Sequence, residues 1–132
     1  MVHVAVGLVI DTTGKVLVAK RADDAHQGGL WEFPGGKVEA SETVEQALAR
    51  ELKEELDISV QASSPVMQIS HDYGDKSVLL DVWLVDHIAG EAIGKEGQAI
   101  KWLAIEQLGA YQFPAANSNI VNWLRDSYSL SD

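Results

Sequence analysis

The sequence predicts an α/β (α+β) fold, specifically an α/β/α sandwich around a mixed β-sheet. Valine-rich segments with a strand pattern lie on both sides of one strong helix, and an amphipathic helix follows near the C-terminus. Helices that alternate with strands in this way pack on the faces of a sheet. The 132 residues suit one hydrophobic core, so we expect a single domain over residues 1–132.

Two strands are predicted before the first helix. Val2–Ile10 is rich in valine and leads into the turn residues Asp11–Gly14, after which Lys15–Lys20 resumes a strand pattern. The short connection predicts a β-hairpin. A loop over Ala22–Leu30 follows.

The helix predicted over residues 43–56 has the clearest pattern. Thr43 is suited to cap its N-terminus, and Gln46 stands three residues later, which is the spacing of a capping box. Apolar residues then recur at helical intervals: Val44, Ala47, Leu48, Leu52 and Leu56.

The second half of the chain predicts three strands and two helical segments. The strands are Val66–His71, Ser77–Val85 and Ala99–Leu103, with a turn at Tyr73–Lys76 between the first two. The helical segments are a short turn at Ile105–Leu108 and an amphipathic helix at Asn117–Tyr128, with Ile120, Val121 and Leu124 inward.

The charge balance restricts the partners of the chain. Ten basic and twenty acidic residues give a net charge of −10, which opposes broad binding to nucleic acid or to anionic membranes. The acidic residues serve either solubility or the binding of a divalent cation. No cysteine is present, so disulfides and thiolate metal sites are excluded, and a cytoplasmic location is expected.

Three glutamates share one face of the predicted helix. Glu51, Glu54 and Glu55 stand at i, i+3 and i+4, so they cover an arc of roughly 100°. Their mutual repulsion and their position near the C-terminal end of the helix are both unfavourable without cations. Mg²⁺ binds carboxylate oxygens and retains water and phosphate ligands, so it suits this face. A solvated acidic face is the alternative interpretation of the same spacing.

The residues around these glutamates match a longer pattern. It runs from Gly36 through Glu42, Arg50-Glu51 and Glu54-Glu55 to Asp57-Ile58. This pattern resembles the Nudix box, which is Gly, five residues, Glu, seven residues, Arg-Glu, apolar, any, Glu-Glu, any, Gly, apolar. The one departure is Asp57 in place of the last glycine, where a helix ends and a positive φ is often needed. Aspartate tolerates that conformation at about 1 kcal/mol or less, so we expect slightly lower stability and intact chemistry.

Three segments resemble the MutT-like branch of this family. They are Leu30–Lys37, Gly94–Gln98 with a further glutamate, and Phe113–Asn117 with an asparagine that reads the base. Together with the box, the resemblance covers nearly the whole chain.

The resemblance implies an Mg²⁺-dependent hydrolase in which Mn²⁺ is able to replace Mg²⁺. Water attacks the β-phosphorus of a nucleoside triphosphate and releases the monophosphate and pyrophosphate. The implied metal ligands are the Gly35 carbonyl, Glu51, Glu54, Glu55 and Glu96. Arg50 supports the glutamates, Glu42 ties the loop to the start of the helix, and Glu51 or Glu96 is the general base. An ordinary exposed loop acid is the alternative for Glu96.

The resemblance also implies a set of nucleotide contacts. They are Arg21, His26, Glu32, Phe33, Pro34, Gly35, Tyr73 and Asn117. Arg21 is otherwise a surface arginine at a strand end, and Phe33 is otherwise a core residue.

Asn117 has a chemical reason to distinguish oxidised guanine from guanine. Guanine presents two acceptors, N7 and O6, on one edge, whereas oxidation at C8 places a proton on N7. An asparagine amide offers one donor and one acceptor, so it pairs twice with the oxidised edge and once with the ordinary one. The alternative is that Asn117 caps the last helix.

The activity expected from this resemblance is that of an 8-oxo-dGTP diphosphatase, which cleans the nucleotide pool and prevents mutation. We expect a monomer that acts on a small nucleotide, with no direct nucleic-acid partner and no membrane. One alternative is a pyrophosphohydrolase of CTP, dCTP or modified pyrimidine nucleotides. Others are a Nudix module that senses nucleotides without hydrolysis, and a homologue of the Nudix-like domain of adenine glycosylases.

Overall fold

The computed structural model describes residues 1–21 and 29–128, and this part of the chain contains two β-sheets. The four-stranded sheet has the order β4-β1-β6-β5 and the three-stranded sheet has the order β3-β2-β7. The strands are β1 (Val2–Val9), β2 (Lys15–Lys20), β3 (Trp31–Glu32), β4 (Gly35–Lys37), β5 (Ser59–Asp72), β6 (Ser77–Ala89) and β7 (Ile100–Ala104). The larger sheet is mixed, as predicted, because β1 is parallel to β6 and antiparallel to β4.

The predicted hairpin of β1 and β2 is wrong, because the two strands belong to different sheets. They are joined only by an isolated bridge between Ile10 and Val16. Residues 5–10 of the chain are all buried, which is typical of a strand covered on both faces. Both edges of β1 are occupied by β4 and β6, so its hydrogen-bonding groups are not available to β2.

Two helices cover opposite faces of β1, which confirms the predicted sandwich. They are α1 (Val44–Leu56) and α2 (Ser118–Tyr128). Alternate β1 residues point to opposite sides of a sheet. Ala5 and Val9 share a core with the apolar face of α1, whereas Val6 and Leu8 share the other core with Ile120 of α2.

The N-terminal cap of α1 forms as predicted. The Thr43 hydroxyl accepts from the Gln46 backbone N–H at 3.1 Å, and the Thr43 N–H donates to the Gln46 side chain at 2.9 Å. At the other end Asp57 adopts the left-handed conformation with φ 59°. The position therefore has the backbone geometry for which the family pattern uses glycine.

Several element boundaries differ from prediction. β5 begins at Ser59 rather than Val66, because it is an edge strand whose exposed polar residues and register shift near Pro65 break the apolar alternation. The short strands β3 and β4 were not expected as separate elements, and 3₁₀ helices cover Ile105–Ala110 and Ala115–Asn117. Among the described residues, none of the helices has the length and apolar content to cross a membrane.

Candidate active site

A cleft of about 240 Å³ lies between the mixed sheet and the segment before α2. The structure brings six of the predicted nucleotide contacts to its lining: Arg21, Glu32, Phe33, Gly35, Tyr73 and Asn117. Pro34 is buried instead, and its carbonyl accepts from the Gly7 N–H at 2.8 Å. His26 lies outside the described residues.

One end of the cleft is apolar, and we call it the apolar end; it contains Phe33, Tyr73 and Asn117. Phe33 is 4% exposed and stacks on Phe113 with ring centroids 5.1 Å apart. It is therefore both a core residue and a wall of the cleft, so the two interpretations made from the sequence are compatible.

Asn117 is the polar group of the apolar end. It is 9% exposed and lines the cleft, and its side chain makes no hydrogen bond to a described residue. Because no fully buried side-chain polar atom in the described chain is unsatisfied, its amide atoms are open to the cleft. It lies in the 3₁₀ turn Ala115–Asn117 rather than as a side-chain cap on α2. The amide donor and acceptor therefore remain available to a molecule in the cleft.

Arg21 and Glu32 form an ion pair on the wall of the cleft. Burial raises the pKa of the Glu32 carboxyl, and the charge of Arg21 opposes that shift. The pair fixes Glu32 at a position where its charge also contributes to the raised pKa of Glu55 on α1.

Two lysines of the cleft were not predicted from the sequence. Lys37 ends β4, and Lys76 lies in the turn between β5 and β6. No sequence motif identified Lys76. Its position in the cleft depends on the lengths of β5 and β6 and not on the residues next to it in the sequence. Together with Arg21, these lysines give the cleft three cationic side chains in a chain of net charge −10.

Arg50 links the acidic residues at the start and end of the box. Its guanidinium donates to both carboxylate oxygens of Glu42, at 2.6 and 2.9 Å, and to Glu51 and Glu54 at 3.0 Å each. It also donates to the Lys37 carbonyl at 3.1 Å. These bonds hold the pKa of Glu42 down at about 2 and raise the pKa of Arg50. The side chain thus supports Glu51 and Glu54, as predicted for Arg50, and Glu42 ties the loop before α1 to Arg50 rather than to the start of the helix.

The Glu51 carboxylate lies against the backbone of Gly36. A Cβ built on Gly36 would stand 2.5 and 2.6 Å from the two carboxylate oxygens. Gly36 also lines the cleft, so the Glu51 carboxylate lies beside the cleft. We call Glu51, Glu55 and Glu96 the acidic end, because the charges of Glu51 and Glu96 both act on the Glu55 carboxyl. At Gly35, φ is 154° and a Cβ would overlap the Ala5 carbonyl oxygen, so this position also needs glycine.

The Glu55 carboxyl of the acidic end has a strongly raised pKa. Burial, a hydrogen bond with Glu51 and the charges of Glu51, Glu32 and Glu96 raise its pKa to about 9. At neutral pH in the absence of a cation, the Glu51 and Glu55 carboxyl groups therefore hold one proton between them. Four carboxyl groups influence one another here although they come from three separate parts of the chain.

Glu54 lies apart from this group. Its side chain is 53% exposed and its described partner is Arg50. Of the predicted catalytic and metal residues, the structure groups Glu51, Glu55 and Glu96 electrostatically and holds Arg50 and Glu54 beside them.

The acidic end fits a hard divalent cation. Its donors are carboxylate oxygens, and neither Glu55 nor Glu96 forms an ion pair with a basic group in the described part of the chain. No three acidic or histidine side chains among residues 1–21 and 29–128 already stand at metal-ligand spacing. Arg50 holds the carboxylates of Glu51 and Glu54 by hydrogen bonds, and the raised pKa of Glu55 favours its protonated form. Binding a cation therefore requires the proton of Glu55 to leave.

The loop that carries Glu96 packs on the C-terminal end of α1. The N–H groups of Ile93 and Lys95 donate to the carbonyls of Leu56 and Glu55, each at 3.0 Å. Asp57 forms ion pairs with Lys53 at 3.3 Å and with Lys95 at 4.0 Å. The aspartate that departs from the family pattern thus contacts the loop of Glu96 through Lys95.

Comparison with known proteins agrees with this architecture. The model of the NUDIX domain family matches residues 5–123. An 8-oxo-dGTP diphosphatase of Escherichia coli K12 is 39% identical, with 93% of this chain and 95% of that protein covered. A CTP pyrophosphohydrolase of the same organism is 38% identical, with 87% and 84% covered. A solved MutT structure, from a study of the proteins of Aliivibrio salmonicida and Vibrio cholerae, has a TM-score of 0.87 at 36% identity, with 96% and 98% covered. The chain therefore belongs to the Nudix family, as a MutT-like Nudix hydrolase.

Proposed function

We propose that the chain is an Mg²⁺-dependent 8-oxo-dGTP diphosphatase that releases 8-oxo-dGMP and pyrophosphate and so keeps the oxidised nucleotide out of DNA. The observation that carries the proposal is Asn117, which is 9% exposed, has no side-chain hydrogen bond to the described residues and lines the same cleft as Gly36, on which Glu51 rests. Nudix hydrolases generally use a divalent metal, and the choice of Mg²⁺ over other divalent cations is part of this proposal.

In this proposal the apolar end binds the base. Phe33 and Phe113 form a flat apolar wall, and Asn117 pairs with the O6 acceptor and the N7 donor of the oxidised guanine. Ordinary guanine leaves one of these contacts as acceptor facing acceptor in a buried position. Because an unpaired buried polar group costs about 1–3 kcal/mol, one such mismatch gives a discrimination of roughly 5- to 150-fold.

The acidic end carries the hydrolysis. A bound divalent cation supplies positive charge to the phosphate oxygens and lowers the pKa of a water molecule. Glu51 or Glu96 accepts the proton of the attacking water, whose oxygen forms the new bond to the β-phosphorus. The bond from the β-phosphorus to the oxygen it shares with the α-phosphorus breaks, and that oxygen leaves with the monophosphate. Arg21, Lys37 and Lys76 are the basic groups of the cleft that are able to neutralise phosphate charge.

A pyrophosphate-release assay with 8-oxo-dGTP, dGTP, dCTP and CTP in the presence of Mg²⁺ tests the proposal. We expect kcat/KM for 8-oxo-dGTP to exceed that for every other nucleotide of the panel. Comparable values for dCTP and 8-oxo-dGTP would replace the proposed substrate. No release from any of the four, with nucleotide binding retained, would favour a sensing module instead of an enzyme.

The second candidate is a CTP or dCTP pyrophosphohydrolase, and one observation favours it. A relative of this name matches at 38% identity, almost as closely as the 8-oxo-dGTP diphosphatase at 39%. The two candidates share the acidic end and differ at the apolar end. The same panel therefore separates them without any change to the metal chemistry.

A further inference from the structure

The Gln98 side chain attaches the Glu96 loop to α1 by hydrogen bonds, beside the longer ion pair of Lys95 with Asp57. Its amide nitrogen donates to the Glu55 carbonyl at 3.1 Å, and its amide oxygen accepts from the Glu96 N–H at 2.9 Å. One side chain therefore connects the backbone of two residues whose carboxyl groups both belong to the acidic end. Gln98 is half-buried, and its bond to the Glu55 carbonyl is partly shielded from water, whereas its bond to the Glu96 N–H is exposed.

The loop itself is shaped to hold Gln98 in this position. The Gly97 N–H donates to the Gly94 carbonyl at 3.0 Å, so Lys95 and Glu96 form the tip of a turn. A Cβ on Gly94 would overlap the Gln98 carbonyl oxygen, and Gly97 has a φ of 82°. The close approach and the positive φ both favour glycine, so the backbone returns Gln98 to the end of α1.

The Glu96 side chain has no comparable support of its own. It is exposed, and it forms neither a hydrogen bond nor an ion pair with any described residue. The distance between the Glu96 and Glu55 carboxyl groups is therefore set by the backbone of the loop and by the hydrogen bonds that anchor this backbone. The Lys95 N–H bond to the Glu55 carbonyl and the Gln98 amide converge on the same acceptor, which makes this carbonyl the anchor.

We propose that Gln98 is a positioning residue. It holds the Glu96 carboxylate at the distance from the α1 glutamates at which Glu96 and those glutamates bind the same divalent cation. The inference rests on the proposed function, in which Glu96 serves the metal site. Loss of an outer partner that orients a metal ligand typically lowers metal affinity or activity by about 10- to 100-fold. Gln98 acts through Glu96, so its effect must disappear when the Glu96 carboxylate is removed.

A double-mutant cycle on the full chain tests this dependence. Gln98→Met keeps the length of the side chain and removes both bonds, and Glu96→Gln removes the carboxylate. Gln61→Met, at an exposed position of β5, is the matched control. Each protein is measured for Mn²⁺ affinity by electron paramagnetic resonance without nucleotide, for kcat and KM, and for melting temperature.

We expect Gln98→Met to weaken Mn²⁺ binding and to lower kcat, each by about tenfold or more, with KM for the nucleotide nearly unchanged. In the Glu96→Gln background the same change has no further effect on Mn²⁺ binding. Equal losses in both backgrounds, or a lower melting temperature alone, would overturn the proposal and leave Gln98 a purely structural residue.

The Mn²⁺ measurement separates this inference from the proposed function. If the wild-type chain binds Mn²⁺ but hydrolyses no nucleotide, the proposed function is wrong. The double-mutant cycle, measured as Mn²⁺ affinity, still decides the role of Gln98. A wild-type chain without Mn²⁺ binding overturns both. Should Gln98→Met not fold, Gln98→Glu replaces it in the cycle, because a carboxylate accepts from the Glu96 N–H but has no donor for the Glu55 carbonyl.

Discussion

The acidic end of the cleft draws two of its three glutamates from one helix, whereas the apolar end draws on separate segments. Glu51 and Glu55 lie one turn apart on α1, and Glu96 is fastened to the same helix by backbone bonds. Phe33 follows β3, Tyr73 lies between β5 and β6, and Asn117 precedes α2. A reaction centre built on one helix keeps its geometry when distant segments change, while a pocket built from many segments changes with each of them.

Polar contacts differ between the two ends in the same way. Arg50 alone makes hydrogen bonds to three carboxylates and one carbonyl around the acidic end. At the apolar end the rings of Phe33 and Phe113 stack, and the Asn117 amide has no partner among the described side chains. We infer that the acidic end determines whether hydrolysis occurs and the apolar end determines which base is accepted. Four experiments test this division.

The largest effect is expected at Glu51 and Glu55. Glu51→Gln or Glu55→Gln should lower kcat by about 10²- to 10⁴-fold for every nucleotide, since each removes a carboxylate from the proposed metal site. Circular dichroism should show an unchanged fold. Glu91→Gln, at an exposed acid outside the cleft lining, is the control. Full activity in both glutamine variants would remove the basis of the metal assignment.

Gly36→Ala tests the support beneath Glu51. The added Cβ must displace the carboxylate, and a displacement of about 1 Å lowers turnover roughly 100-fold. Gly109→Ala is the matched control, because its Cβ would meet only the flexible end of Arg125. Steady-state kinetics of the two variants should therefore differ sharply, and equal activity would show that Glu51 tolerates the shift.

Asn117→Ala should change the choice of base without changing the chemistry. We expect kcat/KM for 8-oxo-dGTP to fall by roughly 5- to 150-fold and that for dGTP to fall much less, because dGTP makes one of the two contacts at most. Asn119→Ala, at an exposed position of α2, controls for the helix. Equal losses on both nucleotides would reassign Asn117 to a structural role.

The last prediction concerns stability rather than turnover, as a pH dependence of unfolding in the metal-free protein. The pKa of Glu55 is raised from 4.5 to about 9, so between these values the folded chain keeps a proton that the unfolded chain has lost. Stability should therefore fall as pH rises from about 4.5 toward 9, measured by urea unfolding in the presence of a chelator.

Two controls belong to this pH experiment. Glu55→Gln should remove most of the slope and leave the part that comes from Glu32, whose pKa burial also raises. Saturating Mg²⁺ should reduce the slope because the cation competes with the proton. Glu42 acts with the opposite sign: its pKa is lowered to about 2 by Arg50, so its contribution is present above pH 4.5 and is lost below it. An undiminished slope in Glu55→Gln would assign the titration to another group.

Several features that depend on residues close in sequence were predicted correctly, and several features that depend on distant elements were not. The capping box of Thr43, the left-handed Asp57 and the support of the α1 glutamates by Arg50 were predicted, because each depends on residues close in sequence or on fixed helical spacing. The β1–β2 hairpin was wrong, because a strand buried on both faces pairs with whichever strands complete its sheet. Lys76 and Gln98 were missed for a related reason, since their partners lie on other elements.

The sequence by itself therefore determined α1, the residue types of its acidic face and the family to which the chain belongs. Only the tertiary structure decided how deeply Glu55 is buried and that the charges of Glu32 and Glu96 act on its carboxyl. It also decided that Gln98 anchors the loop of Glu96. The physical reason is distance along the chain: helical spacing acts over a few residues, whereas burial and long-range hydrogen bonds depend on which elements the fold brings together.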